Sequence, residues 1–453
     1  MEVTVGKSFL RRLRKVAPLV FLGLVLPGDG IAQEVPDAFV ALARQRALRI
    51  TTLEPSTETA DLRPLKDVIG QARVVALGEA SHDAHEFLAF RNRLFEFLVE
   101  EMAFTAIALE TGFSEAEQLE DYIDGGAGNA ATLAQAVFCT TSESLEENRQ
   151  LIEWMHTRNS ALGSRRKVRL YGIDLTGMRN GEFPVARLAI ERALEYLQGV
   201  DPASARALRE RLEPRLSKFT DTAFGTLSEI QREALTTAIE DLVSLLERRR
   251  LDSPALPNSS RYENALRNAI TARRLTAYFR QARVDTAATP VDLRESLTVR
   301  DVAMADNVKW VLEREGRGGR ILVFAHNFHV KKGPAGKMPV PVFPGRAPST
   351  MGEYLHAALG DDLFVLGSCF GGGAPEFKLP PLLPGSVDAA MASAGSSPFV
   401  LVLGSLSSTD SAGGWLHQPL QIRANDGYFA IDPTESLDAL IFIPTITAAR
   451  TIR

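Results

Sequence analysis

Arg73-Val74-Val75-Ala76-Leu77-Gly78-Glu79-Ala80-Ser81-His82-Asp83-Ala84-His85-Glu86 is the stretch from which the architecture is read. It opens as a short, nearly continuous apolar run, the pattern of a strand covered on both faces of a parallel sheet. Gly78, Glu79 and His82 follow that run. Beyond them Phe87, Phe90, Leu94, Phe97 and Leu98 recur at helical spacing. Asp83, with Glu86 three residues on, has the form of a capping box that would start this helix.

The same rhythm recurs down the chain. Ala106–Leu109, Val168–Ile173 and Ile321–Ala325 are short apolar runs alternating with helical segments, and Leu363–Leu366, Phe399–Leu403 and Leu440–Ile443 read as later strands. The expected fold is α/β, with a mostly parallel central sheet flanked by helices. Residues 33–184 form the first part of this core and 286–453 the second. Between them, residues 185–285 are rich in Ala, Leu, Arg and Glu and are punctuated by Pro202, Pro214, Pro254 and Pro257. They predict a helical insertion bordering the active-site cleft. The Pro- and Gly-rich stretch 331–350 predicts a loop.

At the N-terminus, Lys7, Arg11, Arg12, Arg14 and Lys15 precede the apolar run Ala17–Leu26, which Pro27, Gly28 and Gly30 break. That order predicts a secretory signal over residues 1–32, a mature chain starting near Gln33, and a secreted or periplasmic location. The run is too short to span a bilayer comfortably, and no other segment is apolar for long enough, so no stable membrane insertion is expected after cleavage. A net charge of -5 gives no electrostatic reason to expect nucleic acid. Two cysteines, Cys139 and Cys369, make no disulfide framework and cannot alone close a structural zinc site. Nothing in the sequence sets the oligomeric state.

Each of four candidate strands ends in polar residues: Glu79 and His82, then Glu110, then Asp174, then His326, Asn327 and His329. Ligands of an open parallel sheet bind beyond the carboxyl ends of its strands, and three of the seven histidines fall there. The Ser-hydrolase pattern G-x-S-x-G does not occur; Gly112-Phe113-Ser114-Glu115-Ala116 lacks the last glycine. Cys369 reads as a small buried residue more than a nucleophile. What remains is attack by water, its proton taken by a neutral imidazole that a carboxylate orients. A second reading makes His82, His85, His326 and His329 metal ligands, although their spacing matches neither H-E-x-x-H nor H-x-x-E-H. A third is a non-catalytic envelope binding protein. No Gly-rich phosphate loop follows a strand, and no cofactor is expected. His156, His356 and His417 read as structural or surface residues, and Lys331 and Lys332 as solvated.

The ordered motifs resemble those of the erythromycin esterase family. Gly78-Glu79-Ala80-Ser81-His82 is similar to its G-E-[AS]-[ST]-H opening, followed by Arg91, Leu94 and Ala106–Glu110. Tyr171-Gly172-Ile173-Asp174 looks like the next landmark. Arg300-Asp301, Met304-Ala305 and Asn307 are similar to its R-D-x-x-M-A-x-N helix, and His326-Asn327-Phe328-His329-Val330 to its H-N-x-H-V segment. Met351-Gly352 and Asp438–Phe442 also fit. The resemblance, over roughly residues 50–445, implies hydrolysis of a small-molecule ester or macrolactone without a covalent intermediate. It would make His82 the general base, with Glu79 orienting it. Arg91 and Glu110 would complete the polar shell, and His326 would act as acid or oxyanion partner. His329, with Asn327 and Asp174, would bind substrate. His156 stands where the family often has Arg, and a landmark Trp is missing around residues 139–143.

Overall fold

A computed structural model of the chain describes residues 34–138, 145–161, 166–176, 186–249, 259–287, 294–333, 348–404, 406, 413–425 and 427–452. The expected signal segment, Cys139 and most of the 331–350 loop lie outside the described residues.

The central strands are β1 (Leu48–Arg49), β2 (Val74–Glu79), β3 (Ala106–Gly112), β4 (Arg169–Asp174), β5 (Ile321–His326), β6 (Leu363–Gly373), β7 (Phe399–Val402) and β10 (Ala439–Ile446). They form one eight-stranded sheet in the order β1-β7-β10-β6-β2-β5-β3-β4. All pairings from β10 to β4 are parallel, and only the β1–β7 and β7–β10 pairings are antiparallel. A separate antiparallel hairpin joins β8 (Leu420–Ala424) to β9 (Gly427–Ile431).

The apolar runs are continuous because both faces of the sheet are covered. Val74 and Ala76 pack into one core with Ala106, Ala108, Ile321 and Val323. Val75 and Leu77 alternate into the opposite core with Ile107, Leu109, Leu322 and Phe324. The helix His85–Met102 buries Phe87, Phe90, Leu94, Phe97 and Leu98 against that second core. Full burial of such a side chain stabilises by about 1.5–3 kcal/mol.

The start of this helix differs from the capping-box expectation. Ala84 is the N-cap, without a side-chain cap bond, and Asp83 has φ 58°, which turns it out of the cap geometry. Glu86 instead accepts from Thr447 N–H at 2.7 Å and Thr447 Oγ1 at 2.8 Å, so the chain's last segment serves where the cap was expected.

Between β4 and β5 lie the helices Arg187–Val200, Pro202–Leu216, Glu229–Arg248 and Ser259–Ala287, before Arg294–Arg314 returns to the sheet. They share a third apolar core of their own. This helical unit meets the sheet just past the end of β3, where Ser114 Oγ donates to Asn268 Oδ1 at 2.6 Å.

Neither Lys331 nor Lys332 is solvated. Lys331 is fully buried, its Nζ donating to the Gly333 carbonyl at 2.6 Å, and Lys332 pairs with Asp438 at 2.7 Å. Their place beside a predicted loop hid these partners. Cys369 is a buried thiol against the Ile441 carbonyl. Burial pushes its pKa up, which makes it a poor nucleophile at neutral pH.

Candidate active site

Strand order explains why residues far apart in sequence meet. β2, β5, β3 and β4 are consecutive neighbours, so their carboxyl ends form one polar edge. Glu79 lies directly beside His326 in the β2–β5 register. The β3–β4 register shifts between Leu109 and Gly112, at the point where Glu110 leaves the pleat, an irregularity of the kind that re-aims a side chain. Gly78 has no room for a side chain. A Cβ there would stand 2.2 Å from Asn327 Oδ1.

Glu79 Oε1 lies 2.6 Å from His82 Nδ1, and Glu79 Oε2 is buried without a partner. Both residues line a cavity with Arg91, Glu110, Asn148 and Phe324, enclosing about 500 Å³ of space open to solvent. Burial works against a charge on His82, but Glu79, then Glu110 and Asp83, overcome it and raise the imidazole to about 9. The ring is 40 % exposed, so water screens part of that field.

His326 is the opposite case. Burial and the neighbouring His82 hold it well below the ordinary value, with Glu110 opposing, so it is neutral. The Phe328 N–H donates to its Nδ1 at 3.2 Å, which leaves the ring proton on Nε2. That Nε2 is buried without a full hydrogen-bond partner, and the Ala80 carbonyl near the ring favours its charged form. The His82 and His326 ring centroids are 5.1 Å apart. A buried donor without a hydrogen-bond partner costs free energy, which an acceptor reaching Nε2 recovers.

Glu110 is held by its surroundings. It accepts from Arg300 Nη2 at 2.8 Å and from the His326 N–H at 2.8 Å. Burial alone would raise its pKa, but His329, Arg300 and His82 drive it far below the carboxylate range. Arg300 also grips Asp174, with Nη2–Oδ2 at 2.6 Å and Nε–Oδ1 at 3.0 Å. His329 Nδ1 lies 2.8 Å from Asp301 Oδ1 and its Nε2 is 3.4 Å from Glu110. Burial opposes the charged ring, yet Asp301 and Glu110 raise its pKa.

The structure therefore divides the expected residues. Glu79, His82, Arg91 and Glu110 share the cavity, and His326 stands beside it. Asp174 and His329 belong to an ion network behind Glu110, centred on Arg300. Both amide atoms of Asn327 are engaged: its Nδ2 donates to the Ser368 carbonyl at 2.7 Å and its Oδ1 accepts from Ser368 N–H at 3.0 Å, clamping β5 to β6. Asn327 and Asp174, expected to bind substrate, thus have their side-chain polar atoms engaged within the protein. Arg91 is buried with its guanidinium 5.1 Å over the Phe324 ring. Burial lowers it to about 10, Glu79 and Glu147 acting against the drop, so it stays cationic at neutral pH.

His85 does not join His82. Its ring nitrogens lie 2.6 Å from Glu147 and 2.7 Å from Glu54, with Arg450 on Glu147 at 3.0 Å. Among the described residues no group of three or more His, Cys, Asp or Glu is placed to hold a metal ion. Arg300, Asp301 and Asn148 are not site residues by the sequence reading; the Arg300-Asp301 pair at the start of the R-D-x-x-M-A-x-N-like helix is the available signal. His156 stacks on Tyr122 at 4.3 Å, a structural contact.

Fold and site together place Glu79, His82, Glu110, Arg91 and His326 at the carboxyl edge of an α/β sheet. The profile described as erythromycin esterase matches residues 99–446, and the chain belongs to the erythromycin esterase family, a family of ester hydrolases. It is similar to an erythromycin esterase type II of Escherichia coli, 27% identical over 322 residues, covering 69% of this chain and 72% of that one. A solved Bacillus cereus protein shares the fold with a TM-score of 0.74 at 22% identity, covering 92% of this chain and 98% of that one. A solved erythromycin esterase mutant in its open conformation does so at 0.67 and 20% identity, covering 89% and 98%.

Proposed function

We propose that this chain is an exported hydrolase that cleaves a small carboxylic ester or macrolactone with water activated by His82. The observation that carries the reading is the 2.6 Å contact between Glu79 and His82 at a cavity beside a neutral His326. The matched family stretch begins after His82, so the roles below rest on geometry. Glu79 accepts the Nδ1 proton of His82 and leaves Nε2 to take a proton from water. As the carbonyl is attacked, its oxygen gains charge, and the His326 Nε2–H is the donor available to it. Arg91 supplies a fixed positive charge to the same cavity. His326 cannot exchange roles with His82, because its Nδ1 already accepts a backbone proton.

The Glu79 contact makes His82 a strong base and also keeps it protonated. With a value of about 9, only about one ring in a hundred is neutral at pH 7. The enzyme-dependent rate at saturating aryl ester should therefore rise nearly tenfold per unit above pH 7 and level off near pH 9. In Glu79→Gln that limb should move to lower pH, because the field raising His82 is gone. A wild-type rate flat from pH 6 to 9 counts against His82 as the base.

Export rests on the basic block and apolar run before Ala32. Sequencing the N-terminus of protein recovered from the cell envelope or medium should start near Gln33; full-length chain confined to the cytoplasm refutes export.

A further inference from the structure

His82 sits in the loop between β2 and the helix His85–Met102, and its peptide groups are anchored from outside. On one flank the chain's last segment pairs with the loop: Ala449 N–H donates to the Asp83 carbonyl at 2.8 Å and His85 N–H to the Thr447 carbonyl at 2.9 Å. On the other flank stands a single residue, Asn425, at the turn of the β8–β9 hairpin. Asn425 N–H donates to the Ala80 carbonyl at 2.7 Å, and His82 N–H donates to Asn425 Oδ1 at 3.1 Å. One residue thus closes a pair of hydrogen bonds onto the peptide groups that bracket Ser81.

That residue is itself held firmly. Asn425 has φ 53°, the left-handed region that asparagine tolerates better than most residues. Next to the turn, Arg423 N–H donates to Asp388 Oδ2 at 2.7 Å, and Asp388 Oδ1 accepts from Phe370 N–H at 3.1 Å. The Arg423 guanidinium is buried between Phe370 and Tyr428 and donates to the Pro380 carbonyl at 2.7 Å. The hairpin turn is therefore tied to β6, and through Asn425 the sheet sets where the His82 loop stands.

We infer that Asn425 is a positioning residue for His82, its side-chain oxygen holding the loop so that the imidazole stays on Glu79. The catalytic consequence rests on the hydrolase reading above; the positioning itself does not. The charged groups facing His82 are Glu79 from β2, Asp83 in the loop and Glu110 from β3, with His326 from β5 neutral beside it and Arg91 across the cavity. None of them is altered by a change at position 425.

Asn425→Gly is compatible with the left-handed backbone and with the N–H donated to Ala80, and removes the side chain whose Oδ1 accepts from His82 N–H. Asn425→Asp restores an acceptor oxygen at the same place. The test has two readouts on protein with an unchanged melting temperature: NMR titration of the His82 ring, and kcat and KM on an aryl ester. In Asn425→Gly the His82 midpoint should fall toward the ordinary histidine value as the Glu79 contact loosens. Its kcat should drop about tenfold with KM within about twofold, since a misplacement of about 1 Å can cost up to a hundredfold. Asn425→Asp should recover most of the rate and hold the midpoint at or above that of the wild type. An Asn425→Gly protein with the wild-type His82 midpoint overturns the inference, as does Asn425→Asp failing to restore either readout. If Asn425→Gly does not fold, a low His82 midpoint in folded Asn425→Asp overturns it instead. If wild type turns over no ester but the midpoint still moves in Asn425→Gly, the hydrolase reading falls and the positioning role stands.

Discussion

His82→Ala is expected to lower single-turnover ester hydrolysis by a hundredfold or more per folded molecule, equivalent to about 2.7 kcal/mol of transition-state stabilisation. KM should change much less, because in the proposed mechanism the imidazole acts on the water and not on the bound ester. His82→Asn should be nearly as slow: its amide can still donate to Glu79 but cannot accept a proton at neutral pH. Rates must be expressed per folded molecule, since Glu79 is buried and its Oε2 already lacks a partner. Removing His82 leaves Oε1 unpaired as well, and alanine should therefore destabilise the protein more than asparagine does. No acyl-enzyme should accumulate in a pre-steady-state burst. Treatment with a chelator should leave the wild-type rate intact, because the nitrogens of His85 are engaged by Glu147 and Glu54 and do not converge with His82. A folded His82→Ala protein retaining most of its rate ends this mechanism. Chelator-induced loss restored by zinc promotes the metal reading.

The sheet was legible because its strands are buried on both faces, and burial of that kind writes an unbroken apolar run into the sequence. All six strands from β10 to β4, and β7 beside them, follow such runs. β1, β8 and β9 were not legible. β1 has only two residues, Leu48–Arg49, and the hairpin's Leu420–Ala424 includes the buried Arg423, which reads as a surface residue until Asp388, Phe370 and Tyr428 are seen around it. At the site, the strand-end rule selected Glu79, His82, Glu110 and His326 correctly as neighbours, because consecutive parallel strands bring their carboxyl ends together. It could not separate residues facing the cavity from those behind it. Asn327 and His326 are adjacent in sequence, yet one is spent on the Ser368 backbone and the other stands beside His82. Asn425 carried no signal at all, for its contact with His82 spans 343 positions and depends on a left-handed turn.

Arg300→Met should give the largest loss of stability of any single change near the site. The arginine is the cation shared by Glu110 and Asp174, and Asp301 adds to the field that raises its own pKa well above the ordinary value against burial. Methionine fills much of the volume and removes the charge, leaving buried carboxylates facing one another. Breaking a buried pair from one side typically costs about 3–5 kcal/mol, a large part of what holds most folded proteins together, and the urea midpoint should fall accordingly. The pH dependence distinguishes this cause from poor packing. Glu110 is depressed in the folded protein, so its contribution is present above its unfolded value of about 4.3 and is lost as pH falls through the lower folded one. In Arg300→Met the remaining charge can be relieved by protonating Glu110, which the wild type resists. The stability gap between the two proteins should therefore be full from pH 7 down to about 5 and narrow as pH falls below about 4.3. A gap that stays constant as pH falls from about 5 to 3 would mean that the arginine acts by filling space, and that Glu110 keeps its place without it. Activity should fall in parallel, since the Glu110 carboxylate that Arg300 holds also accepts the backbone N–H of His326, the residue proposed to donate Nε2–H to the developing charge.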